Sequence, residues 1–307
     1  MKQIGVIINK NAKKVRTGRV SPDVFMNIAP DIVDTRVTSS LDEIDAVLRD
    51  FMREGIGYVG IFGGDGTIHH TLTHMVRIYG PDRLPCVAIL KGGTMDNVSR
   101  SLNLPRTGPA ILNKMATLLR RGLPVPTAEL DTMKIDDRYC FLFGAGLTTN
   151  FLEDVYRYEK GFISNLRVSV KAISQSFSRK KAGTLFEPLH ASVYTDGAEV
   201  SGRDFTFILA GTVEEIATGI RPMSRANLRP ASFHALISRL SPPQIFIRLH
   251  RLMFGREIRH PRHCDRVISG ITIVPDGSFG YTMDGDMYYT DKKLEVTIGP
   301  RVRVVSF

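Results

Sequence analysis

The first 130 residues alternate between short apolar runs and longer stretches with apolar residues at helical spacing. Ile4 to Ile8, Asp31 to Val37, Gly57 to Phe62 and Cys86 to Leu90 are apolar and β-branched enough to predict four short strands. Between them, Thr38-Ser39-Ser40-Leu41-Asp42-Glu43 opens a helix predicted to run to residue 54, with Ser39 or Ser40 as its N-cap. Ile68 to Val76 and Ala110 to Arg121 carry the same helical period, and Gly122 with Pro124 and Pro126 stops the second of these. Strand alternating with helix predicts an α/β unit built on a mostly parallel sheet. From about residue 132 the period shortens to two. Thr132 to Asp136, Leu189 to Tyr194, Phe205 to Leu209, Val267 to Val274 and Leu294 to Ile298 read as antiparallel strands, with helical material from about 151 to 178. The expectation is two domains, residues 1–131 and 132–291, followed by a last strand at about 292–307.

The stretch Ile61-Phe62-Gly63-Gly64-Asp65-Gly66-Thr67 concentrates the chemistry. Three glycines between a strand and a helix let the backbone turn tightly and bring its N–H groups up to a ligand, and the helix N-terminus favours an anion there. A carboxylate inside such a corner is repelled by phosphate, so Asp65 points to a divalent cation or to a proton-transfer role. A glycine turn with a capping Asp satisfies the same spacing. A second turn, Gly92-Gly93-Thr94-Met95-Asp96-Asn97, leaves the next predicted strand. Ligands of open α/β sheets lie beyond the carboxyl ends of the strands, so both turns can face one pocket. Thr94 would offer its hydroxyl to phosphate there. Asp96 or Asn97 would hold the turn, cap a helix or assist a metal.

Gly63-Gly64-Asp65-Gly66-Thr67 resembles the signature shared by diacylglycerol kinases, sphingosine and ceramide kinases, NAD kinases and, more loosely, phosphofructokinases. Gly92 to Asn97 resembles the Gly-Thr-x-Asn-Asp segment of the diacylglycerol kinase catalytic domain, with the last pair reversed to Asp96-Asn97. Met283-Asp284-Gly285-Asp286 resembles that family's Asp-Gly-Glu motif, with Glu shortened to Asp. The resemblance implies an NAD-kinase-like α/β N-terminal nucleotide-binding domain with a mostly parallel sheet. It further implies a mainly antiparallel β-sandwich C-terminal domain and a final strand that returns to the first domain. ATP and Mg²⁺ would be the cofactors. Asn9 and Thr38 would meet the nucleotide together with Gly63, Gly64, Gly66, Thr67, Gly93, Thr94, Asp96 and Asn97. Asp65 would be the base or a carboxylate on Mg²⁺, and Asp284 and Asp286 would act on Mg²⁺, on ribose or on the acceptor hydroxyl. Phe143-Gly144-Ala145-Gly146-Leu147 resembles the family's Gly-x-Gly segment, although Thr148, Thr149 and Asn150 stand where an acidic residue usually follows. Gly219-Ile220-Arg221-Pro222 resembles its Gly-Gly-Gly turn, and Arg229-Pro230-Ala231 replaces the acidic continuation, so no second metal site is expected.

Composition narrows the partners. A chain of 307 residues with 43% hydrophobic and 23% charged residues is an ordinary globular one, and no run of 18 apolar residues predicts a membrane span. Cys86, Cys140 and Cys264 lack metal-ligand spacing and suit buried thiols in a reducing cytosol. A net charge of +10 asks for an anionic partner. No RNA-binding or helix-turn-helix signature and no Trp are present, which puts nucleic acid last. Two basic stretches stand out, Arg157 to Lys181 and Gln244 to His263. In the second, Ile245 to Phe254 combines apolar residues with Arg248 and Arg251. Such a segment fits a helix lying in a membrane interface, or one packed on its own domain or on a second copy in a homodimer. The functional expectation is an ATP- and Mg-dependent kinase of a diacylglycerol-like or sphingoid hydroxyl, cytoplasmic and held peripherally at an anionic membrane. A kinase of a soluble acceptor, and a nucleotide- or lipid-binding protein without catalysis, are the alternatives.

Overall fold

Four parallel strands, β1 Ile4–Asn9, β2 Val33–Thr38, β3 Tyr58–Phe62 and β4 Cys86–Ile89, lie side by side in the order β2-β1-β3-β4. The computed structural model describes residues 2–93, 104–105, 107–158, 185–216 and 220–307, with side chains described to residue 153 of that third segment. Thr94, Asp96, Asn97, Gly219 and the basic stretch beyond residue 158 lie outside the described residues. The chain divides into two compact units: residues 1–132, 137–139 and 300–307 form the first, and residues 133–136 and 140–299 the second.

In the first unit β1, β3 and β4 are buried on both faces, which is why they read as unbroken apolar runs, with Ile4, Val6, Ile7 and Ile8 fully buried, whereas the edge strand β2 leaves Arg36 and Val37 exposed. Helices cover the sheet. After two short helices, α1 Lys13–Arg16 and α2 Asp23–Met26, the helix α3 Leu41–Arg53 turns Ile44, Leu48 and Phe51 inward at the spacing of one helical face. Its N-cap is Ser40, whose hydroxyl accepts from Glu43 N at 3.3 Å. The Glu43 carboxylate returns to Ser39 N at 2.6 Å and Ser39 Oγ at 2.9 Å, and these bonds hold it below the usual carboxylate range. Helix α4 Asp65–Tyr79 buries Ile68, Leu72, Met75 and Tyr79 in the same way, and α5 Gly108–Arg120 buries Ile111, Leu112 and Met115. Strand β5 Thr127–Leu130 lies at the far edge. Between β4 and β5 runs β19 Val302–Val305, parallel to the one and antiparallel to the other. The preceding strand, β18 Leu294–Ile298, belongs to the second unit.

The second unit is antiparallel in every strand pair described. Its strands are β6 Met133–Ile135, β8 Leu142–Gly146, β9 Leu189–Thr195, β10 Ala198–Val200, β11 Asp204–Phe205 and β12 Phe207–Gly211, then β13 Phe233–Ser238, β14 His263–Ile268, β15 Gly270–Pro275, β16 Phe279–Met283, β17 Asp286–Thr290 and β18. (A short β7, Arg138–Cys140, precedes β8.) One sheet runs β10-β9-β15-β18-β6, with β11 also on β9, and the other runs β14-β13-β12-β8-β16-β17. Their inner faces meet in one core, where Val193, Ile273 and Val296 of the first sheet join Phe143, Ile208 and Phe233 of the second. This is a β-sandwich. Two runs that the sequence presents as single strands break and pass from one sheet to the other. Val267 to Val274 breaks at Ser269, where the Asp196 carboxylate accepts from Ser269 N and Gly270 N at 2.9 Å each. Phe205 to Leu209 breaks at Thr206, whose N and hydroxyl are drawn onto Ser238 O at 2.7 Å and Leu240 O at 2.8 Å. Helix α6 Leu147–Tyr158 leaves β8 directly, and α7 Pro242–Met253 follows β13.

Candidate functional site

In the first unit, register places the sequence's nucleotide candidates along one edge. Asn9 pairs with Thr38 and Ile8 with Phe62 at the carboxyl ends of β1, β2 and β3, and Ile61 pairs with Ile89 of β4. The residues that follow these pairs are therefore Lys10, Gly63 and Leu90, beyond the ends of adjacent parallel strands, where α/β folds hold ligands.

The glycine corner is built as the pattern suggests. Gly64 is the N-cap of α4 in extended geometry and Asp65 is its first residue, with Gly66 and Thr67 completing the first turn. Early N–H groups of a helix lack partners within it, and this end of α4 carries its partial positive charge. Asp65 adds a carboxylate at that positive end, a favourable placement in its own right. Thr67 ties the corner to β1: Asn9 Nδ2 donates to Thr67 Oγ1 at 2.8 Å, while Asn9 Oδ1 accepts from Asn11 N at 2.8 Å. A side chain at Gly63 has no room, because a Cβ there would sit 2.4 Å from Thr67 Cβ.

The second glycine turn comes to the first. A Cβ on Gly92 would lie 2.5 Å from Gly63 N and 2.9 Å from Gly63 O, and a Cβ on Gly64 would lie 3.8 Å from Gly93 Cα. The two backbones touch, and only glycine at position 92 lets them. Lys14 supports this arrangement from α1, its ammonium donating to Lys91 O. Lys91 itself stands in the left-handed region at φ +55 and donates to Leu104 O at 3.0 Å. Gly92 belongs to the second turn of the sequence pattern, but its contact with Gly63 and the support from Lys14 depend on which strands are neighbours. Thr38 is 2% exposed and its hydroxyl reaches back to Ile8 O at 3.5 Å, so its contribution is to the end of β2. His74, which local sequence leaves without a carboxylate, meets Asp45 of α3, and Arg77 joins Asp45 at 2.8 Å. That is a helix–helix tie.

In the second unit, Asp284-Gly285 is the two-residue loop of the β16–β17 hairpin, with Met283 paired to Asp286. Both loop residues have positive φ, +49 and +93, the signature of a type I′ turn, which Asp-Gly suits. The Asp284 carboxylate is 7% exposed and accepts from Phe141 N at 3.1 Å and Leu142 N at 2.8 Å, while Asp284 N donates to Leu142 O at 3.0 Å. Asp284 thereby clamps the hairpin to β8. Burial and this neighbouring carboxylate push the Cys140 thiol well up. Asp286, half-buried, is the first residue of β17. Gly146 closes β8 at φ +71 with its Cα against the Thr206 carbonyl, 2.6 Å from where a Cβ would stand.

Helix α7 carries the apolar-basic segment, opened by a Ser241–Gln244 capping box. Its inner face carries Ile245 and Leu252, which pack into a core cluster, and Leu249 between them is half-buried. Phe246, Ile247 and Phe254 are 54%, 67% and 65% exposed, and with His250 and Arg251 they make one outward stripe at helical spacing. Arg248 is not part of it. It is half-buried and turns back to Gln244 O at 3.2 Å, so of the two arginines only Arg251 faces outward. No described helix is long and apolar enough to cross a membrane.

Residues 3–125 match the family model described as diacylglycerol kinase catalytic domain. The chain has no match among curated proteins. Among solved structures it is similar to a putative diacylglycerol kinase from Bacillus anthracis str. Sterne, at 14% identity and TM-score 0.75, covering 100% of this chain and 97% of that one. A second structure, described as a diacylglycerol kinase of the same organism, gives 14% identity, TM-score 0.68 and the same coverage. At such identity the likeness is one of fold. The family match covers both glycine turns and stops well before the hairpin at Asp284.

Proposed function

We propose that the chain, whose residues 3–125 match the family model described as diacylglycerol kinase catalytic domain, transfers the terminal phosphoryl group of ATP to the hydroxyl of a diacylglycerol-like or sphingoid lipid. The observation that carries this reading is the contact between the two glycine turns at the carboxyl ends of β3 and β4, with Asp65 in the corner. Phosphoryl transfer has a loose transition state and asks the protein mainly for alignment, charge neutralisation and a proton acceptor. Backbone N–H groups from Gly64 to Thr67 and at Gly93 align the phosphates at the positive end of α4. Asn9 fixes Thr67 and with it the first turn of the cradle. The carboxylate of Asp65 takes the acceptor proton or holds the metal.

Mg²⁺ fits this residue set, since it binds through one or two carboxylates together with substrate phosphates and retained waters. When bound it would neutralise charge on the phosphate oxygens, and Asp65 is the residue of this unit that would hold it. In the hairpin we assign Asp284 to positioning and Asp286 to the chemistry. Acceptor access at an anionic membrane is supported by the outward stripe of α7, whose aromatic and aliphatic side chains alternate with His250 and Arg251.

The test is labelled ATP with purified protein against a lipid panel, run beside Asp65→Asn. The parent is expected to label one lipid class, and the variant to label it more slowly by about 10²–10⁴-fold, the usual contribution of a positioned acid or base. A variant that labels lipid as well as the parent removes Asp65 from the chemistry. A parent that binds ATP yet labels no lipid removes the lipid acceptor.

A further inference from the structure

At the open edge of the sandwich in the second unit lies a groove of about 430 Å³ that neither glycine turn nor hairpin uses. Its cationic side chains come from strand geometry. Ile237 of β13 faces Cys264 of β14, and Ala235 faces Arg266. Ile237 and Ala235 are core residues, so their face is the inner one, and Arg266 rises from that same face of an edge strand. Arg239, two residues beyond Ile237, is the next position of that alternation. Its guanidinium rests on Gly202: a Cβ there would lie 2.1 Å from Arg239 Nη1 and 2.4 Å from Cζ, and Gly202 has φ +96. The positive φ calls for glycine here, and the bare Cα leaves the space in which the arginine lies.

The segment after α7 closes the groove in a defined shape. Arg239 N donates to Arg262 O at 2.8 Å, His263 N to His260 O at 2.9 Å, and Arg262 N to His260 Nδ1 at 3.1 Å. Beneath the arginines lie Phe205, Ile237 and Ile258, all buried. Charge in the groove is unbalanced. Arg259 is paired with Glu257 at 3.0 Å, and Asp265, on the other face of β14, is taken by His234 at 2.7 Å and by Arg225. Glu199 is one further carboxylate at the rim. Arg239, Arg262 and Arg266 have no carboxylate partner among the described residues. Inward-pointing charge also guards edge strands against pairing, a role open to Arg266 on β14; Arg239 and Arg262 lie outside the strands β13 and β14. Three guanidinium groups over an apolar floor, one of them seated on a glycine, make a planar multidentate donor set for phosphate oxygens.

We propose that this groove binds a phosphate-class anion. The inference stands on second-unit residues alone, whether or not the chain transfers a phosphoryl group. Phe254, at the end of the exposed stripe, lies three residues before Glu257 of the groove, so the phosphate of a lipid headgroup and a soluble phosphate are the two sources to separate.

Cys264 supplies a local reporter. It lines the groove half-buried, beside Arg266, while Cys86 and Cys140 are buried elsewhere. Alkylation of the full chain by a neutral maleimide, mapped by mass spectrometry at matched ionic strength, is measured in three conditions. These are inorganic phosphate, phosphatidylcholine vesicles, and phosphatidylcholine vesicles containing phosphatidylglycerol. At ten times Kd, occupancy is expected to slow the Cys264 reaction about tenfold. Protection by inorganic phosphate identifies a soluble-phosphate site, and protection only by the vesicles with phosphatidylglycerol identifies a headgroup site. Arg239→Gln and Arg266→Gln should each reduce the protection ratio, and Gly202→Ala should do so while keeping every charge. Lys292→Gln, on an exposed turn, should leave it unchanged. No protection under any condition, or protection undiminished in the two arginine variants and in Gly202→Ala, overturns the proposal.

Discussion

Replacing Gly92 by Ala tests the contact on which the nucleotide reading rests. The new Cβ would stand 2.5 Å from Gly63 N and 2.9 Å from Gly63 Cα and O, against backbone that has no rotamer to give. Bringing the nearest pair to ordinary contact at 3.4 Å requires the two turns to part by about 0.9 Å. Overpacking of this kind costs about 1–3 kcal/mol in stability. Its functional cost is larger, because misplacing aligned groups by about 1 Å can lower a rate by 10²-fold. The comparison is Gly64→Ala, whose Cβ meets Gly93 Cα at 3.8 Å and whose φ of −85 suits any residue. That change loses a favourable N-cap and is expected to cost about 1 kcal/mol or less. The assays are thermal unfolding, ATP binding by calorimetry in magnesium buffer, and turnover on the accepted lipid. Gly92→Ala should stay folded, with weakened ATP binding and turnover down about a hundredfold. A Gly92→Ala protein with parental ATP affinity and turnover would show that the touching turns do not hold the triphosphate.

Three further outcomes follow from the same geometry. Asn9→Ala removes the 2.8 Å bond to Thr67 Oγ1 and should cost about 1 kcal/mol of stability together with ATP affinity; unchanged calorimetry would free Asn9 from the site. Asp284→Ala leaves the amides of Phe141 and Leu142 without their acceptor and should destabilise the chain by about 1–3 kcal/mol, read as a lowered urea midpoint, whereas Asp286→Asn should lower turnover at unchanged midpoint. Burial first, then Arg225 for His234 and His260 with Arg248 for His263, lowers both imidazoles to about 4. Each therefore favours the neutral folded form: its stabilisation is complete above 6.5 and is lost as pH falls through about 4, at most about 3 kcal/mol apiece. Urea unfolding between pH 6.5 and 4 should be steeper in the parent than in a His234→Gln, His263→Gln double variant, and equal slopes would refute the assignment.

Much of the first unit is legible in its residues because the relevant signals are local. Apolar runs mark β1, β3 and β4, Ser40 and Glu43 mark the start of α3, and the glycine corner marks a strand-to-helix turn with a carboxylate at the helix end. What brings Gly92 onto Gly63 is not local, since it needs β3 and β4 to be neighbours in register. The same holds for Lys14 reaching Lys91 O across 77 residues of chain and for His74 finding Asp45 on the preceding helix. In the second unit, alternation identifies strands but not where a strand changes sheet. Thr206 and Ser269 are ordinary β residues, and the carbonyls and carboxylate that bend the chain there come from Ser238, Leu240 and Asp196. Segment 245–254 shows its amphipathic character in sequence. Which arginine faces outward depends on helical phase relative to the core, and that phase turns Arg248 inward.

The hairpin at Asp284 shows why a motif resemblance needs physical reading residue by residue. Asp-Gly is what a type I′ turn selects, and a carboxylate at its first loop position can capture the amides of an adjacent strand, so two of the three motif letters have a folding reason here. The third does not. Asp286 begins β17 opposite Met283, and directly paired residues of an antiparallel ladder project to the same face, so Asp286 shares the face of a fully buried core residue at the end of its strand. Register fixes the Cα–Cβ direction of a polar side chain at the mouth of an apolar face, and only χ1 moves its carboxylate from there. Shortening Glu to Asp there withdraws the carboxylate by about 1.5 Å, one carbon–carbon bond, along a direction the sheet sets. The turn, clamped by Asp284, holds the strand in place and cannot advance to make up that distance. In this hairpin, therefore, the reach of the acid is decided at Asp286 and the rigidity behind it at Asp284.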